Sequence, residues 1–487
     1  MRKYIIYMSV FFVSGVYAQG GNALRDTLDA PALPAAVVSG QRNANTITSR
    51  QTIDGESLRR MNSYSVADAV RYFSGVQLKD YGGIGGLKTI DVRSMGTEHT
   101  AVSYDGVEIA NAQNGIVDLG RLSLANVGGI TLSNGGNGGI FKPARNFASA
   151  SNVDIAARSP EFHGRAHNLR AVVEGGSFGT FSPEVLWERK LSEKTALQVD
   201  AAWLTSNGRY KYRYHMDGGY DTTATRRNGD ITVLRGEASL YGRIQDGNWR
   251  ARGYVYSSRR GLPGAVVRNR LSHIDRQRDV NTFVQGALTK RFGNYSLLVN
   301  TKLTYDYLHY FYDPRRDQGA MFINNHYHQS GVYVSAANKY DFSENIQASL
   351  SADYAFDALN ADLREFAKPL RNSVFASAAV NARTGDFEFQ GNALLTYVGN
   401  RVRNRNGGKS SEHIGFTPAV FAAWRPAFLP GLTLRAFFKR SYRVPTFNDL
   451  YYTFIGNSNL KPEYATQLDG GVSWRVPKEG RALKNLE

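Results

Sequence analysis

The sequence contains no cysteine, which excludes disulfide scaffolds, thiolate metal sites, iron–sulfur clusters and thiol nucleophiles. It also lacks any run of 20 apolar residues, so a helical membrane protein is excluded. Charged residues are only 21% of the 487 residues, too few for a disordered chain. Tyrosine (28), phenylalanine (25) and glycine (49) are abundant instead. This composition suits both a transmembrane β-barrel with a polar interior and a soluble all-β protein.

The N-terminus has the pattern of a secretory signal peptide. Arg2 and Lys3 form a basic start, a mostly apolar stretch runs from Tyr4 to Val16, and a small-x-small cleavage pattern ends at Ala18. We therefore predict a signal peptide over residues 1–18 and an exported mature protein. The formal charge is 59 − 42 = +17. In an exported protein this charge is expected to meet anionic lipid headgroups or an anionic ligand, and not nucleic acid.

The first part of the mature chain is predicted to be a flexible lead-in over residues 19–36, followed by a small, loop-rich α+β module over residues 37–160. Ser65 and Asp68 have the spacing of a helix capping box. Val66, Ala69, Val70 and Phe73 then fall on one helical face before Gly75. Two short strands follow, at Lys88–Val92 and Thr100–Tyr104, and the second meets an Asp105-Gly106 turn.

From residue 161 to 487 the chain alternates apolar and polar residues with period two, over segments of 8–11 residues. Short turns, such as Gly293–Asn294, alternate with long polar connections near 207–230, 259–279, 310–327, 358–370, 402–412 and 442–463. Such two-sided asymmetry is typical of an outer-membrane β-barrel. We count about 14 strands up to Trp474.

Motifs at both ends of the chain resemble those of the TonB-dependent outer-membrane receptors. The run Val66–Val76 and the glycine-rich and Tyr-Asp-Gly stretches after it look like the family's plug domain, and two downstream stretches resemble its barrel signature. The plug motif residues are Gly82, Gly83, Gly85, Gly86, Arg93, Asp105 and Gly106, and the barrel motif residues are Arg443, Pro445, Asn448, Leu460, Pro462 and Glu463. Within the family, the sequence most resembles the cobalamin-receptor-like branch, including Bacteroides-type members.

The resemblance implies an all-β transmembrane barrel, of 22 strands in the family, filled by the N-terminal α+β plug. It implies an importer in the outer membrane, not an enzyme, with no cofactor and with a scarce nutrient such as cobalamin as ligand. A TonB box ahead of the plug would pair with the periplasmic energy-coupling protein as an added strand. The best candidate is Ala35, Ala36, Val37, Val38 and Ser39, although this stretch could equally begin the first plug strand.

Two departures from the family pattern bear on this interpretation. Val92-Arg93-Ser94 replaces the usual Ile-Arg-Gly, and we expect Ser94 to cost little if its backbone angle is ordinary. The chain also has about 14 strands where the family has 22, and its last eight residues are polar and not strand-like. We therefore expect the sequence to be C-terminally incomplete.

Two glycine motifs invite enzymatic interpretations. Gly82–Gly86 resembles a phosphate-binding loop, but no Gly-Lys-Ser/Thr follows it. Gly175–Gly179 fits the Gly-x-Ser-x-Gly pattern of an exported esterase using Ser177, but that motif needs a strand–turn–helix context, and Pro183 and the β-rich residues that follow oppose a helix. We interpret both as turns. The alternatives that remain are a ferric-siderophore importer, a passive 14-strand channel and this esterase.

The ligand-contact candidates are chosen from aromatic and basic segments, and the chemistry leaves their roles open. The aromatic residues after Tyr305 suit either an interfacial girdle or a stacking surface for a planar ligand. The arginines of 259–279 suit either lipopolysaccharide phosphates or an anionic ligand. The histidines lack a carboxylate partner at fixed spacing, so no metal site is expected. The resemblance also argues against heme, because heme receptors of that family carry a histidine between the two barrel motifs and this sequence has none between Pro445 and Leu460. The candidates are Tyr81, Tyr310, Phe311, Tyr312, His326, His328, Arg268 and Arg270.

Overall fold

The computed structural model describes residues 41–42, 46–61, 63, 65–136, 138–215, 219, 221–266, 273–313, 322–453, 455–475 and 485–486. These residues form an N-terminal α+β plug and one large antiparallel sheet. The predicted TonB-box segment at 35–39, Arg268 and Arg270 lie outside the described residues.

The plug is built on a six-stranded sheet in which β5 and β8 are parallel and the other neighbours are antiparallel. The order across this sheet is β1-β2-β7-β8-β5-β6, and β3 and β4 form a separate two-stranded ribbon. The plug elements are β1 (Gln41–Arg42), β2 (Arg50–Asp54), α1 (Gly55–Arg60), α2 (Val66–Val70), β3 (Val76–Asp80), β4 (Lys88–Val92), β5 (Thr100–Tyr104), β6 (Val107–Glu108), β7 (Val127–Asn134) and β8 (Ser151–Ala157).

The large sheet, called the barrel sheet below, joins fourteen long strands, each paired with its neighbour in the chain apart from one interruption. A separate hairpin, β12 (Tyr210–His215) and β13 (Asp221–Arg226), interrupts the order in a connection. The strands are β9 (His167–Gly176), β10 (Thr180–Lys190), β11 (Thr195–Ser206), β14 (Ile231–Ile244), β15 (Gly247–Leu262), β16 (Asp275–Phe292), β17 (Tyr295–Tyr312), β18 (Ile323–Asp341), β19 (Ile346–Ala361), β20 (Pro369–Thr384), β21 (Phe387–Val402), β22 (Ser411–Trp424), β23 (Leu432–Arg443) and β24 (Glu463–Arg475). A helix, α3 (Phe447–Tyr451), precedes β24, and β25 (Asn485–Leu486) pairs with its end.

Period-two alternation places polar side chains against the plug and apolar side chains outside. In β18, Tyr333 and Ser335 are buried, whereas the alternate residues Val332 and Val334 are 39% and 44% exposed. A sheet with a polar inner face and an apolar outer face is the arrangement of an outer-membrane barrel. The predicted barrel and its count of about 14 strands are therefore confirmed. None of the helices in the described ranges has the length and apolar character needed to cross a membrane.

The plug core forms around α2, as the helical periodicity predicts. Val66, Val70 and Phe73 are at most 2% exposed and belong to one apolar cluster with the plug strands. The predicted capping box is wrong in its bonding, because the Ser65 hydroxyl donates to the Asp68 carboxylate at 3.0 Å and makes no cap to the backbone. The helix is only five residues long, so tertiary packing stabilises it more than its cap does.

The sequence-based loop boundaries at 259–279 and 310–327 are too wide. In the structure β15 continues to Leu262 and β16 starts at Asp275, so most of the arginines assigned to a loop stand on strands. Likewise β17 continues to Tyr312 and β18 starts at Ile323. Polar composition does not end a strand when its neighbour continues the hydrogen-bonded ladder.

The expectation for Ser94 is also corrected. Arg93 and Ser94 have φ angles of 52° and 58°, in the left-handed region where a side chain is disfavoured and glycine is not. The backbone angle is therefore not ordinary, and serine carries strain of about 1 kcal/mol relative to glycine at this site.

Candidate functional site

The glycine-rich plug loop after Tyr81 reaches the end of the barrel sheet that carries the long connections. Asp80 Oδ1 accepts hydrogen bonds from the backbone of Gly82 at 3.1 Å and Gly83 at 2.8 Å, which folds the loop back on itself. A Cβ on Gly86 would lie 2.4 Å from the Gly82 nitrogen, so this close approach requires glycine. The loop is thus a tight turn that leaves Tyr81 60% exposed.

A second plug loop, Ala110–Gly115, is held by the barrel signature. The backbone N–H groups of Phe447 and Asn448, at the start of α3, donate to the carbonyls of Ala112 at 2.9 Å and Gln113 at 2.8 Å. From the barrel wall, Gln329 accepts from the Gln113 N–H at 3.0 Å. We call this contact between α3 and the Ala110–Gly115 loop the plug clamp.

The sequence forms α3 because it carries a complete capping box. The Thr446 hydroxyl accepts from the Asp449 N–H at 3.2 Å, and the Asp449 carboxylate accepts from the Thr446 N–H at 2.8 Å. Phe447 and Leu450 are each 1% exposed and pack in a cluster that includes Tyr327 and Leu359 of the barrel wall. The plug clamp therefore stands on a buried apolar base.

The other residues of the barrel motif fix the segment around the plug clamp. Arg443 donates two hydrogen bonds to Glu463, at 3.0 and 2.7 Å, which joins the two ends of the connection that carries α3. The Pro445 carbonyl accepts from Arg371 at 2.6 Å. Leu460 turns the chain back through its N–H bond to Asn457 at 3.1 Å, two residues before Pro462.

A polar cavity of about 190 Å³ lies between the plug and strands β19, β20, β21 and β23. The Arg145 guanidinium donates to Glu108 at 2.9 Å and lies 5.6 Å above the Phe375 ring. Burial alone would lower the pKa of Arg145, but Glu108 and Asp357 outweigh it and raise that pKa. The cavity is therefore lined by charged side chains of both the plug and the barrel wall.

A buried ion cluster joins the plug to β14 and β15. Arg252, 2% exposed, bonds to Asp105 of the plug and lies 2.8 Å from Glu237 of the barrel. The Tyr104 hydroxyl donates to Glu237 at 3.0 Å, and Arg250 lies 3.0 Å from Asp105. Burial, and then the charge of Glu237, raise the pKa of Tyr104. We call these residues the Arg252 cluster.

A second buried cluster of charged side chains also joins the plug to the barrel. Arg121 of the plug donates to Asn281 at 2.7 Å and lies 3.4 Å from Asp279. Arg260 of the barrel donates to Asp279 at 2.7 Å and lies 3.5 Å from Asp118 of the plug. Because each buried charge has an opposite neighbour, removing any one leaves another uncompensated.

Arg93 bonds to Asp469 of the last long strand and is partly exposed. The plug motif residues Arg93, Asp105 and Gly106 thus lie where the plug meets the barrel. Asp105 and Gly106 form the predicted turn, with φ angles of 52° and 81°. Arg93 and Asp105 each bond to a charged residue of the barrel.

Lys142 is a buried cation of the plug, 6% exposed, that lies 4.1 Å above the Phe147 ring. Burial lowers the pKa of its ammonium group to about 7; Asp154 opposes this shift and Arg50 adds to it. The unfolded chain has the ordinary value of 10.5. Between these two values the unfolded chain binds a proton that the folded plug does not, so the free energy of unfolding rises as the pH rises from 7 to 10.5.

We expect Lys142→Met to remove this pH dependence. As the pH rises, the unfolding free energy of the parent should increase relative to that of the variant, by up to about 1.4 kcal/mol per pH unit. Urea denaturation at several pH values between 7 and 10 measures it, with Lys194→Met as control, because Lys194 is exposed. A difference that stays flat across this window would contradict the buried state of Lys142.

The structure divides the aromatic and histidine candidates between two faces of the barrel sheet. Tyr310 and Tyr312 belong to the inner row of β17, and the Tyr310 hydroxyl donates to Asp275 at 2.9 Å. Phe311, His326 and His328 alternate with buried inner residues and so face outward. Across the described ranges, no group of three or more His, Cys, Asp or Glu side chains could hold a metal ion.

The esterase motif is a turn between two strands. Ser177 begins a three-residue 3₁₀ segment that links β9 to β10, and Phe178 within it has φ 64°. The strand–turn–helix of a nucleophile elbow is not formed here, because β10 starts at Thr180.

Sequence reasoning missed the barrel partners of the plug charges: Glu237, Arg252, Arg260 and Asp279. A usable signal existed, because each is a charged residue on the polar face of an alternating strand. The pattern gives the face but not the partner, since the partners lie 100 or more residues away in the chain.

Comparison with known proteins gives matches at both ends of the chain. Residues 42–144 match the model of the TonB-dependent receptor plug domain, and residues 370–482 match that of the TonB-dependent receptor-like β-barrel.

Solved structures share the fold at low sequence identity. They include the copper transporter OprC (14% identity, 88% of this chain and 71% of that one, TM-score 0.69). The FrpB iron transporter from Neisseria meningitidis matches with 11% identity, 88% and 70% coverage and TM-score 0.70. The ferric yersiniabactin uptake receptor FyuA from Yersinia pestis matches with 12% identity, 90% and 72% coverage and TM-score 0.64.

Proposed function

We propose that the chain is a TonB-dependent receptor and that it imports a large metal chelate by energy-coupled rearrangement of its plug. Receptors of this fold are outer-membrane transporters and not enzymes. The plug clamp is the observation that carries the proposal. A ligand that binds among the long connections contacts the segment that holds Ala112 and Gln113, and so can change how firmly the plug is held.

We propose that the energy-coupling protein TonB pulls on the segment ahead of β1, with residues 35–39 pairing to it as an added strand. The plug sheet supports this idea, because β1 is its edge strand among the described residues, where Gln41 and Arg42 pair with β2. An edge strand has one neighbour, so traction applied there would open the sheet from β1 inward.

The proposed ligand class rests on aromatic groups and on the structural neighbours. Tyr310 and Tyr312 face inward, with Tyr452 close to Tyr310, and Tyr81 is exposed on the plug loop. Aromatic faces of this kind bind large organic ligands by stacking. The neighbours are described as copper, iron and ferric-chelate transporters, which favours a ferric siderophore.

Cobalamin, itself a cobalt chelate, is the ligand that the sequence resemblance favours, and it stays a candidate beside the ferric siderophores. Heme is the third candidate. We also propose contact between the outer surface and lipopolysaccharide, for which the structure offers a specific arrangement described below.

Binding of ⁵⁷Co-cobalamin, ⁵⁵Fe-siderophores and heme to cells that carry this receptor identifies the ligand. For the ligand that binds, we expect Tyr310→Ala to weaken affinity about tenfold through the lost aromatic contact. The matched control is Phe311→Ala, the next residue of the same strand, which faces outward and should leave affinity unchanged. Equal effects of the two variants would contradict the inward binding surface, and binding of none of the three would contradict the ligand class.

A further inference from the structure

Four basic side chains form a row across the outward face of β15 to β18. Arg259 is the cross-strand partner of Arg278, Arg278 of His309, and His309 of His326. The His309 and His326 rings stack with their centroids 4.1 Å apart. Neighbouring residues in register lie about 4.5–5.5 Å apart, so the four form one continuous band.

The two arginines at one end of this row point away from the plug. Their neighbours in the chain, Arg260 and Asp279, are 2% and 1% exposed and bond to each other inside. Strand alternation therefore turns Arg259 and Arg278 outward, and both are exposed.

These two arginines differ from those around them. Arg276 is bonded to Asp230 at 2.7 and 2.8 Å, and Arg260 to Asp279 at 2.7 Å. Within the described part of the chain, Arg259 and Arg278 have no hydrogen-bond or ion-pair partner. Like charges directly opposite each other on one face of a sheet are destabilising, unless an anion lies between them.

The distance of the basic row from the exposed apolar band of the barrel sheet indicates which kind of anion it binds. Val284, Leu303 and Val332 lie on the same strands, each six residues from the basic row. They are cross-strand neighbours and are 60%, 55% and 39% exposed. Six residues correspond to about 20 Å along a strand. Tyr305 and Tyr307 stand between the two levels, in the position of an aromatic belt at the membrane interface.

We propose that Arg259 and Arg278 bracket the phosphate of an outer-leaflet lipid, the phosphorylated headgroup of lipopolysaccharide. Guanidinium groups bind phosphate bidentately, and two of them on adjacent strands can contact one phosphate from both sides. The row ends at His309 and His326, which are held by Asn324 at 2.7 Å and by Tyr307 at 2.8 Å, and Asp362 lies 4.0 Å from His326. The apolar band below provides the surface for the acyl chains.

The test measures binding of lipid A with and without its phosphates to the full chain in detergent, by native mass spectrometry. We expect the parent to prefer the phosphorylated form and Arg259→Gln/Arg278→Gln to lose about twentyfold in that preference. The control Arg189→Gln/Lys290→Gln removes two positive charges from the outward face at the opposite end of the barrel sheet and should retain it. Inorganic phosphate should not displace the lipid at equal concentration, because it lacks the acyl chains.

Two results would overturn the proposal. One is a parent that binds both forms of lipid A equally, which needs no variant and so holds even if the double variant misfolds. The other is a folded double variant with the preference of the parent. Displacement by equimolar inorganic phosphate would assign the arginines to a soluble anion and would likewise reject a lipid site.

Discussion

Arg252→Met is expected to destabilise attachment of the plug by about 3–5 kcal/mol. Without the guanidinium, Glu237 of the barrel loses the cation that it shares with Asp105 in a buried site, and Asp105 of the plug is left with Arg250. Methionine fills similar volume but cannot compensate either carboxylate. The plug should then become sensitive to protease at denaturant concentrations where the parent is resistant.

The measurement is limited proteolysis across a urea series, with cleavage sites assigned by mass spectrometry. Arg60→Met is the matched control, because Arg60 forms an exposed pair with Glu56, side chains 72% and 65% exposed. Such surface pairs contribute at most about 1 kcal/mol. If the Arg252 and Arg60 variants release the plug at the same urea concentration, the Arg252 cluster does not hold it.

Phe447→Ala is expected to cost about 3–5 kcal/mol in local stability, because it empties a fully buried position beneath the plug clamp. The ring also lies 4.8 Å below the Arg371 guanidinium, which binds the Pro445 carbonyl. Loss of the ring should therefore loosen α3 and release its hydrogen bonds to Ala112 and Gln113.

Hydrogen exchange of residues 110–115 and 445–452 reports the change directly, and both segments should exchange faster together. Phe428→Ala serves as control, since that ring is 76% exposed. Faster exchange in 445–452 with no change in 110–115 would show that α3 and the plug loop are independent, and would remove the basis of the plug clamp.

The sequence was most informative where short-range rules decide the structure. The predicted strands Lys88–Val92 and Thr100–Tyr104 have the same bounds as β4 and β5. Each is a short β-like run that ends at a turn, and Asp105-Gly106 fixes the second turn by its left-handed backbone. The barrel could be predicted from the alternation of apolar and polar residues, because each strand that separates a polar interior from lipid must alternate its side chains in this way.

The rest depended on partners distant in the chain. Strands β15 to β18 continue through polar residues because each is paired along its length, which composition does not show. The capping box was expected at Ser65, but the complete one forms at Thr446, where α3 has an apolar base to pack on. Tyr310 and Phe311 were grouped as ligand contacts, but they lie on opposite faces of the sheet, because a step of one residue along a strand reverses the face.

The central claim is that plug movement, driven from the periplasm, carries the ligand inward. Its most direct test separates surface-bound from internalised label, for whichever of ⁵⁷Co-cobalamin, ⁵⁵Fe-siderophore or heme binds, in cells carrying the parent or a variant lacking residues 26–39. The account predicts that the variant binds the ligand as the parent does and internalises none. Uptake by the variant at the parent rate would contradict energy coupling and indicate a passive channel.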